Sequence, residues 1–223
     1  MKTGGRAKLY DLAAALPLVA WYGFGLWRDL PDLVEKYHSI HNGSVDLLLV
    51  GRMLARLSYI AFAAFLIALL ILRVTPVCKS VGLMPRLMGV LGTFATVGFL
   101  YLPAANLSLL TTFIATFLIV SGMALAIYTL LRLGRSFSIV PEARQLVTSG
   151  PYAVVRHPLY AFEEIAIIGT AMQFVQPWSL LLLIAHFALQ LARMHYEERV
   201  LAQAFPEYAA YAARTSRLIP DVY

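Results

Sequence analysis

The sequence predicts an all-α protein, a polytopic transmembrane helical bundle of about six spans with a small cytoplasmic cap over a pocket. Three observations carry that expectation. The 223 residues are 60% hydrophobic and only 13% charged, against about half apolar and about a quarter charged in an ordinary soluble domain. The apolar residues fall into runs of about 20, the length that crosses a hydrocarbon core of about 30 Å. Lys and Arg gather in alternate connections between those runs, as the positive-inside bias requires.

The elements follow in order. Lys2, Arg6 and Lys8 precede a first span at Leu9–Trp27. It is long for a signal-peptide core and has no small-residue cleavage site after it, so it is expected to remain in the protein. Arg28 to Asp46 then reads as the longest outer connection, amphipathic or interfacial, with Pro31, Trp27 and Tyr37. Within it His38 and His41 have a spacing that suits a metal on a helix, but no third ligand is in view. They read as solvated loop residues, and no metal site is expected. Arg52 and Arg56, one helical turn apart, either snorkel to the outer interface or face a polar cavity. Spans two to six are expected at Leu54–Leu72, Leu87–Ala105, Leu107–Leu131, Leu159–Val175 and Pro177–Leu191. The third and fourth form a tight hairpin at Asn106, and the fifth and sixth turn at Gln176-Pro177 with Trp178 as an anchor.

Charge sets the orientation. Arg73, Lys79 and Arg86 follow the second span; Arg132, Arg135, Arg144 and Arg156 follow the fourth; Arg193, Arg199, Arg214 and Arg217 follow the sixth. The two short turns carry no Lys or Arg, so both termini are expected in the cytoplasm. Lys+Arg exceed Asp+Glu, 18 to 12, but the excess sits between spans, which argues against nucleic acid. The lone Cys78 excludes an internal disulfide and a cysteine metal cluster. Gly89, Gly92, Gly98 and Gly122 are placed to let helices approach closely. The organisation expected is four N-terminal spans over 1–131 and a catalytic region over 132–223.

Chemistry concentrates where the apolar pattern breaks. The loop after the fourth span turns at Gly134 and Pro141 and reaches Gly150-Pro151-Tyr152, a turn signature. Arg156-His157-Pro158 follows, with Pro158 suited to the first turn of a helix. Free N–H groups at such a helix start, beside Arg156 and His157, suit an anion; juxtamembrane cations before a helix-initiating proline are the plainer alternative. Glu163 and Glu164 then stand inside an apolar segment, where a carboxylate costs about 2.5–3.5 kcal/mol at the midplane and usually faces a cavity or a partner. Arg193 and Glu197 are four apart and share a helix face, with Glu198 beside them. His186 in the sixth span is either a relay group or a hydrogen-bonded packing residue. Phe205 to Pro220 makes an aromatic and basic tail of the kind that lies on anionic lipid.

Two stretches also resemble a known family. LGRSFS…LVTSGPYAVVRHPLY, residues 133–160, and EERVLAQAFPEYAAYAARTSRLIP, residues 197–220, are similar in order and spacing to segments of the isoprenylcysteine carboxyl methyltransferase and phospholipid methyltransferase families. The likeness covers roughly the C-terminal 90 residues. Ala161-Phe162-Glu163-Glu164 departs from a Gly-containing stretch in many relatives, and Pro206 stands in place of a Gly.

The resemblance implies S-adenosylmethionine as cofactor, held by Tyr152, Arg156, His157, Pro158, Tyr160, Glu197 and Glu198 under the cytoplasmic cap. It leaves Arg193, Glu163 and Glu164 as the catalytic candidates: Arg193 to orient an anionic acceptor, a glutamate (or His157) to deprotonate an amine or thiol. The acceptor implied is lipophilic, whether a lipid, a lipidated peptide or a small molecule, and reaches the site from the bilayer. A prenylated cysteine carboxylate, a lipid amine and a small thiol all stay open. Two other readings stand beside this one. Membrane sterol reductases have a similar His-Pro-x-Tyr segment and bind NADPH, though with an Asn where Leu159 stands here; a non-catalytic membrane scaffold is the other. Arg outnumbers Lys 14 to 4, a bias that fits a GC-rich bacterial genome and hence an inner-membrane protein.

Overall fold

The computed structural model describes residues 3–41 and 47–222, with side chains from Lys8 onward. Lys2, Asp46 and the side chain of Arg6, invoked above for orientation and for the outer connection, lie outside the described residues. Seven α-helices are described: α1 (Thr3–His41), α2 (Leu47–Leu72), α3 (Leu83–Phe94), α4 (Leu109–Leu133), α5 (Pro158–Ala171), α6 (Trp178–Ala204) and α7 (Tyr208–Arg214). A 3₁₀ segment, Ala95–Tyr101, prolongs α3, and two short strands, β1 (Cys78–Lys79) and β2 (Glu142–Ala143), pair antiparallel.

The protein is an all-α bundle, as expected, but with about four spans rather than six. Helices long and apolar enough to cross a membrane cover Lys8–His41, Leu47–Leu72, Leu83–Tyr101 and Leu109–Ser136. The fifth and sixth expected spans are a hairpin of a different kind. At 14 residues, α5 is about 21 Å long, short of a bilayer core of about 30 Å. The 27 residues of α6 reach further, but His186, Gln190 and Arg193 interrupt their apolar character. Arg28 to His41 is no loop either: α1 continues through Pro31 to His41. Its polar residues find partners on α2 and within α1: buried Asp29 accepts from Arg56 Nη1 at 2.9 Å, and Lys36 pairs with Asp32 one turn away on α1 itself. Arg56 thus meets a buried carboxylate, while Arg52 donates within its own helix to the Leu48 carbonyl at 3.3 Å.

Helix α2 lies between α1 and α4, α5 packs on α4, and α6 bridges α5 to α3. Trp21 of α1 meets Phe94 of α3 edge to face at 5.3 Å. The apolar core runs through Leu66, Leu70, Ala126, Leu130, Phe137, Ile139 and Leu159. The α4–α5 contact is backbone to backbone: a Cβ on Gly122 would meet the Ala166 nitrogen at 2.6 Å, and one on Gly169 the Ala115 carbonyl at 2.6 Å. Gly89, Gly92 and Gly98 also sit at contacts, against Ile139, Gln190 and Leu182. At one end of the bundle the 102–108 connection pairs with the α5–α6 turn, Ala105 N–H donating to the Gln173 carbonyl at 2.9 Å. At the other end lie β1, β2, the loop after α4, and α7. That end holds the site.

Candidate active site

The loop leaving α4 is fastened before it reaches the site. Val74 N–H donates to the Arg135 carbonyl at 2.9 Å, and β2 is held to β1 with Lys79 opposite Glu142. Gly150, with φ 62°, supplies the left-handed turn that swings Pro151-Tyr152 back toward α6. Pro158 then opens α5 and is fully buried.

The tail runs beside Val155-Arg156-His157. Arg156 N–H donates to the Ser216 carbonyl at 2.8 Å and His157 N–H to the Arg217 carbonyl at 3.0 Å. Arg156 Nη1 closes the end of α7, reaching the Ala212 and Thr215 carbonyls, both at 2.6 Å. Glu198 gathers two guanidiniums and an imidazole: Arg156 Nε at 3.0 Å, His157 Nε2 at 3.1 Å, and Arg217 with Nε at 3.1 Å and Nη2 at 2.5 Å. Burial raises the Glu198 carboxyl's proton affinity, but hydrogen bonds from His157 and Arg217 outweigh it and hold the group well below the usual carboxylate range. Glu198 therefore clamps the tail to the start of α5.

The preceding residue, Glu197, accepts through Oε1 from Tyr160 Oη at 2.5 Å and from Arg193 Nε at 3.1 Å. The Arg193 guanidinium lies over the Tyr160 ring at 5.0 Å, and the His157 ring stacks on the same tyrosine at 5.6 Å between centroids. Tyr152 is anchored through its backbone, its carbonyl accepting from Tyr211 Oη at 2.6 Å. Burial pushes the Tyr211 phenol up to about 12, so it stays a donor at physiological pH.

These residues surround a cavity walled by the loop 133–147, by Tyr152, Arg156, His157 and Tyr160, and by Glu197, Leu201, Tyr208 and Tyr211. Its volume is about 100 Å³, within a wider depression of about 800 Å³ that opens to solvent. Five of the residues singled out from the sequence, Tyr152, Arg156, His157, Tyr160 and Glu197, are brought together in its wall. Pro158 and Glu198 stand just behind as supports. Arg193 is buried beneath Tyr160, and Glu163 and Glu164 lie deeper between α5 and α6. Glu164 Oε1 is 2.7 Å from His186 Nδ1, and Glu163 Oε2 accepts from Gln190 Nε2 at 3.4 Å. Neither glutamate is in the cavity wall. His186 is thus a hydrogen-bonded interior residue.

Sequence reasoning missed other members of the wall, namely Glu142, Arg144 and Tyr208. Tyr208 lay in plain view within the Glu-Tyr motif of the tail. Arg144 was legible only as an orientation charge. Two wall atoms stand out chemically: among the described residues Arg144 Nε and Tyr208 Oη are buried donors without a partner.

The residues 107–208 match the sequence profile of the phospholipid methyltransferase family. That match takes in just under half of the chain. Over 76 residues the chain is 43% identical to a cobalt-zinc-cadmium resistance protein of Cupriavidus metallidurans, covering 34% of this chain and 35% of the relative. It is 35% identical over 80 residues to a nickel-cobalt-cadmium resistance protein of Alcaligenes xylosoxydans xylosoxydans, covering 35% and 38%. It is 31% identical over 112 residues to protein-S-isoprenylcysteine O-methyltransferase B of Arabidopsis thaliana, covering 47% and 57%. The matches span about a third to just over half of these curated relatives. The matched region starts at the foot of α4 and ends at Tyr208, so it takes in the loop, α5, α6 and most of the cavity wall. The first three spans lie outside it.

Proposed function

We propose that this chain is an integral membrane methyltransferase that uses S-adenosylmethionine and acts on a lipophilic acceptor. The observation that carries the reading is the joining of two motifs far apart in the chain: Tyr160 meets Glu197 at 2.5 Å on the wall of one cavity, and His157 meets Glu198 at 3.1 Å just behind it.

The wall's chemistry fits the cofactor. Two unclaimed donors suit a carboxylate, the Glu197 carboxylate suits an ammonium or ribose hydroxyls, and the rings of Tyr152, Tyr160 and Tyr208 suit an adenine and a sulfonium. Both hydrogen bonds to Glu197 fall on Oε1, which leaves Oε2 for a ligand. When bound, S-adenosylmethionine supplies an electrophilic methyl group. The protein's part is alignment and exclusion of water. Tyr160 is held by Glu197 below and His157 beside it, so its ring offers a rigid face. Arg193, neutralised by Glu197, keeps that ring in place. The cavity volume of about 100 Å³ is smaller than typical ligand pockets of about 300–1,000 Å³, so a seated nucleoside extends into the wider depression that opens to solvent.

The acceptor comes from the bilayer. The buried pairs Glu163–Gln190 and Glu164–His186 lie on its side of Arg193. They are the groups at hand to take a proton from an amine or thiol; a carboxylate acceptor requires none. The basic end of the bundle, and with it both termini and the cavity, faces the cytoplasm of a bacterial inner membrane.

The test is binding and transfer together. S-adenosylhomocysteine is expected to raise the melting temperature of the purified protein, and NADPH to leave it unchanged. Stabilisation by NADPH alone makes this a reductase-type site instead. Membranes given a radiolabelled methyl donor are expected to yield label in a lipid, protein or volatile fraction. Label in none of them, with binding intact, supports the scaffold reading.

A further inference from the structure

Arg144 is 3% exposed, and its five donors can be accounted for one by one. Nη1 donates to Asp11 Oδ2 at 3.2 Å and to the Val74 carbonyl. Nη2 donates to Asp11 Oδ1 at 2.7 Å and to Glu142 Oε2 at 2.6 Å. The fifth, Nε–H, is buried and has no partner among the described residues, although Arg144 stands in the cavity wall. An orphaned donor on a charged group is costly and rarely kept without a purpose.

Asp11 fixes the guanidinium. It lies in the first membrane span, outside the family-matched region 107–208, and is itself 3% exposed. Both of its oxygens grip Arg144, the fork geometry that sets a guanidinium plane. Arg73 holds Asp11 in turn, with Nε 3.0 Å from Oδ2 and Nη2 2.9 Å from the Asp11 carbonyl. Two carboxylates and two guanidiniums balance in this cluster. Lys8, bonded to the Arg73 carbonyl, and Lys79, 3.8 Å from Glu142, add positive charge beside it. Arg156 and His157, at the start of α5, are engaged elsewhere: Arg156 spends Nε on Glu198 and Nη1 on two carbonyls, and His157 turns to Glu198.

We propose that Arg144 Nε–H receives the carboxylate of the methyl donor, and that Asp11 is the positioning residue that holds it there. The first membrane span is then part of the binding site. The inference rests on reading the cavity as a S-adenosylmethionine site, and the experiment separates the two.

The full chain is purified, and its dissociation constants for S-adenosylmethionine and for decarboxylated S-adenosylmethionine, which lacks only the carboxylate, are measured for the wild type, Asp11→Asn, Arg144→Lys and Arg73→Gln. The wild type is expected to prefer the carboxylated ligand by about tenfold or more. Arg144→Lys and Asp11→Asn lose most of that preference while binding the decarboxylated ligand within about twofold of wild type, and the double variant is no worse than Arg144→Lys alone. Arg73→Gln lowers the melting temperature but keeps the preference, which separates positioning from general stability. If neither ligand binds the wild type, the cavity reading itself falls and takes this inference with it. If S-adenosylmethionine binds but Arg144→Lys keeps the wild-type preference, only this inference is overturned. If Asp11→Asn does not fold, Asp11→Glu, its carboxylate displaced by one methylene, replaces it; an undiminished preference there removes Asp11 from the proposal.

Discussion

Glu198 shows how one side chain holds two distant pieces of chain in a common site. Its carboxylate receives Arg156, His157 and Arg217, so replacing it leaves two guanidiniums and an imidazole facing one another in a largely buried place. Glu198→Gln is expected to destabilise the protein by about 3 kcal/mol, read as a lower melting temperature at neutral pH. The pH dependence has a definite sign. A carboxylate whose folded proton affinity is depressed adds stability that is complete above its unfolded value, 4.5, and declines as pH falls below it. The melting temperature of the wild type is expected to drop with acidification from pH 5 downward, and that of Glu198→Gln to drop less steeply; parallel curves for the two would remove Glu198 as the clamp. Glu197 is a different case, because in the proposed function its second oxygen is the one left for the methyl donor. Glu197→Gln keeps a hydrogen-bond acceptor for Tyr160 but loses the charge, so donor affinity is expected to fall about tenfold with little change in melting temperature.

At the scale of elements, the hairpin of α5 and α6 depends on how closely α5 can lie against α4. Gly122 and Gly169 put the two backbones in contact, and any Cβ at either position meets main-chain atoms at 2.6 Å. Gly122→Ala is expected to cost about 1–3 kcal/mol through overpacking and to lower the melting temperature, with transfer activity falling alongside it. An unchanged melting temperature would mean that α4 and α5 do not meet here. The hairpin explains why the apolar pattern misled about span number. A run such as Leu159–Val175 satisfies a length rule, yet four of its turns serve to carry Tyr160, Glu163 and Glu164 against α6. Helices that build a polar interior need fewer lipid-facing residues than helices that cross alone. Arg28 to His41 misled in the opposite direction, since its charges suggested a loop until Asp29 and Arg56 are seen to neutralise each other.

For the whole molecule, orientation is the property most easily tested, and the single cysteine makes it simple. Cys78 sits on β1, at the same end as the cavity, and is partly exposed. A membrane-impermeant thiol reagent is expected to label it in inverted inner-membrane vesicles and not in intact spheroplasts. Val81, 92% exposed in the same segment, provides the check: Val81→Cys with Cys78→Ser is expected to follow the same pattern. Labelling from outside would invert the protein and place the cavity away from the cytoplasm. The cluster of Asp11, Arg73, Arg144 and Glu142 is also a whole-molecule feature, because it ties the first span to a loop more than a hundred residues later.

Membrane class, helical content and the two motif stretches were determined by sequence itself, because apolar run length and local residue order are properties of the chain read linearly. Tyr152, Arg156, His157, Tyr160 and Glu197 were legible for the same reason: each sits in a short motif whose chemistry is unusual beside lipid. Only the tertiary structure decided which of these face the cavity and which brace it, since Glu197 and Glu198 are adjacent in sequence but point to different partners. It also decided the number of spans, through the polar contacts of α5 and α6, and the place of Asp11. A lone carboxylate in a first span carries no local signal of its role, which arises from the two guanidiniums that folding brings to it from elsewhere.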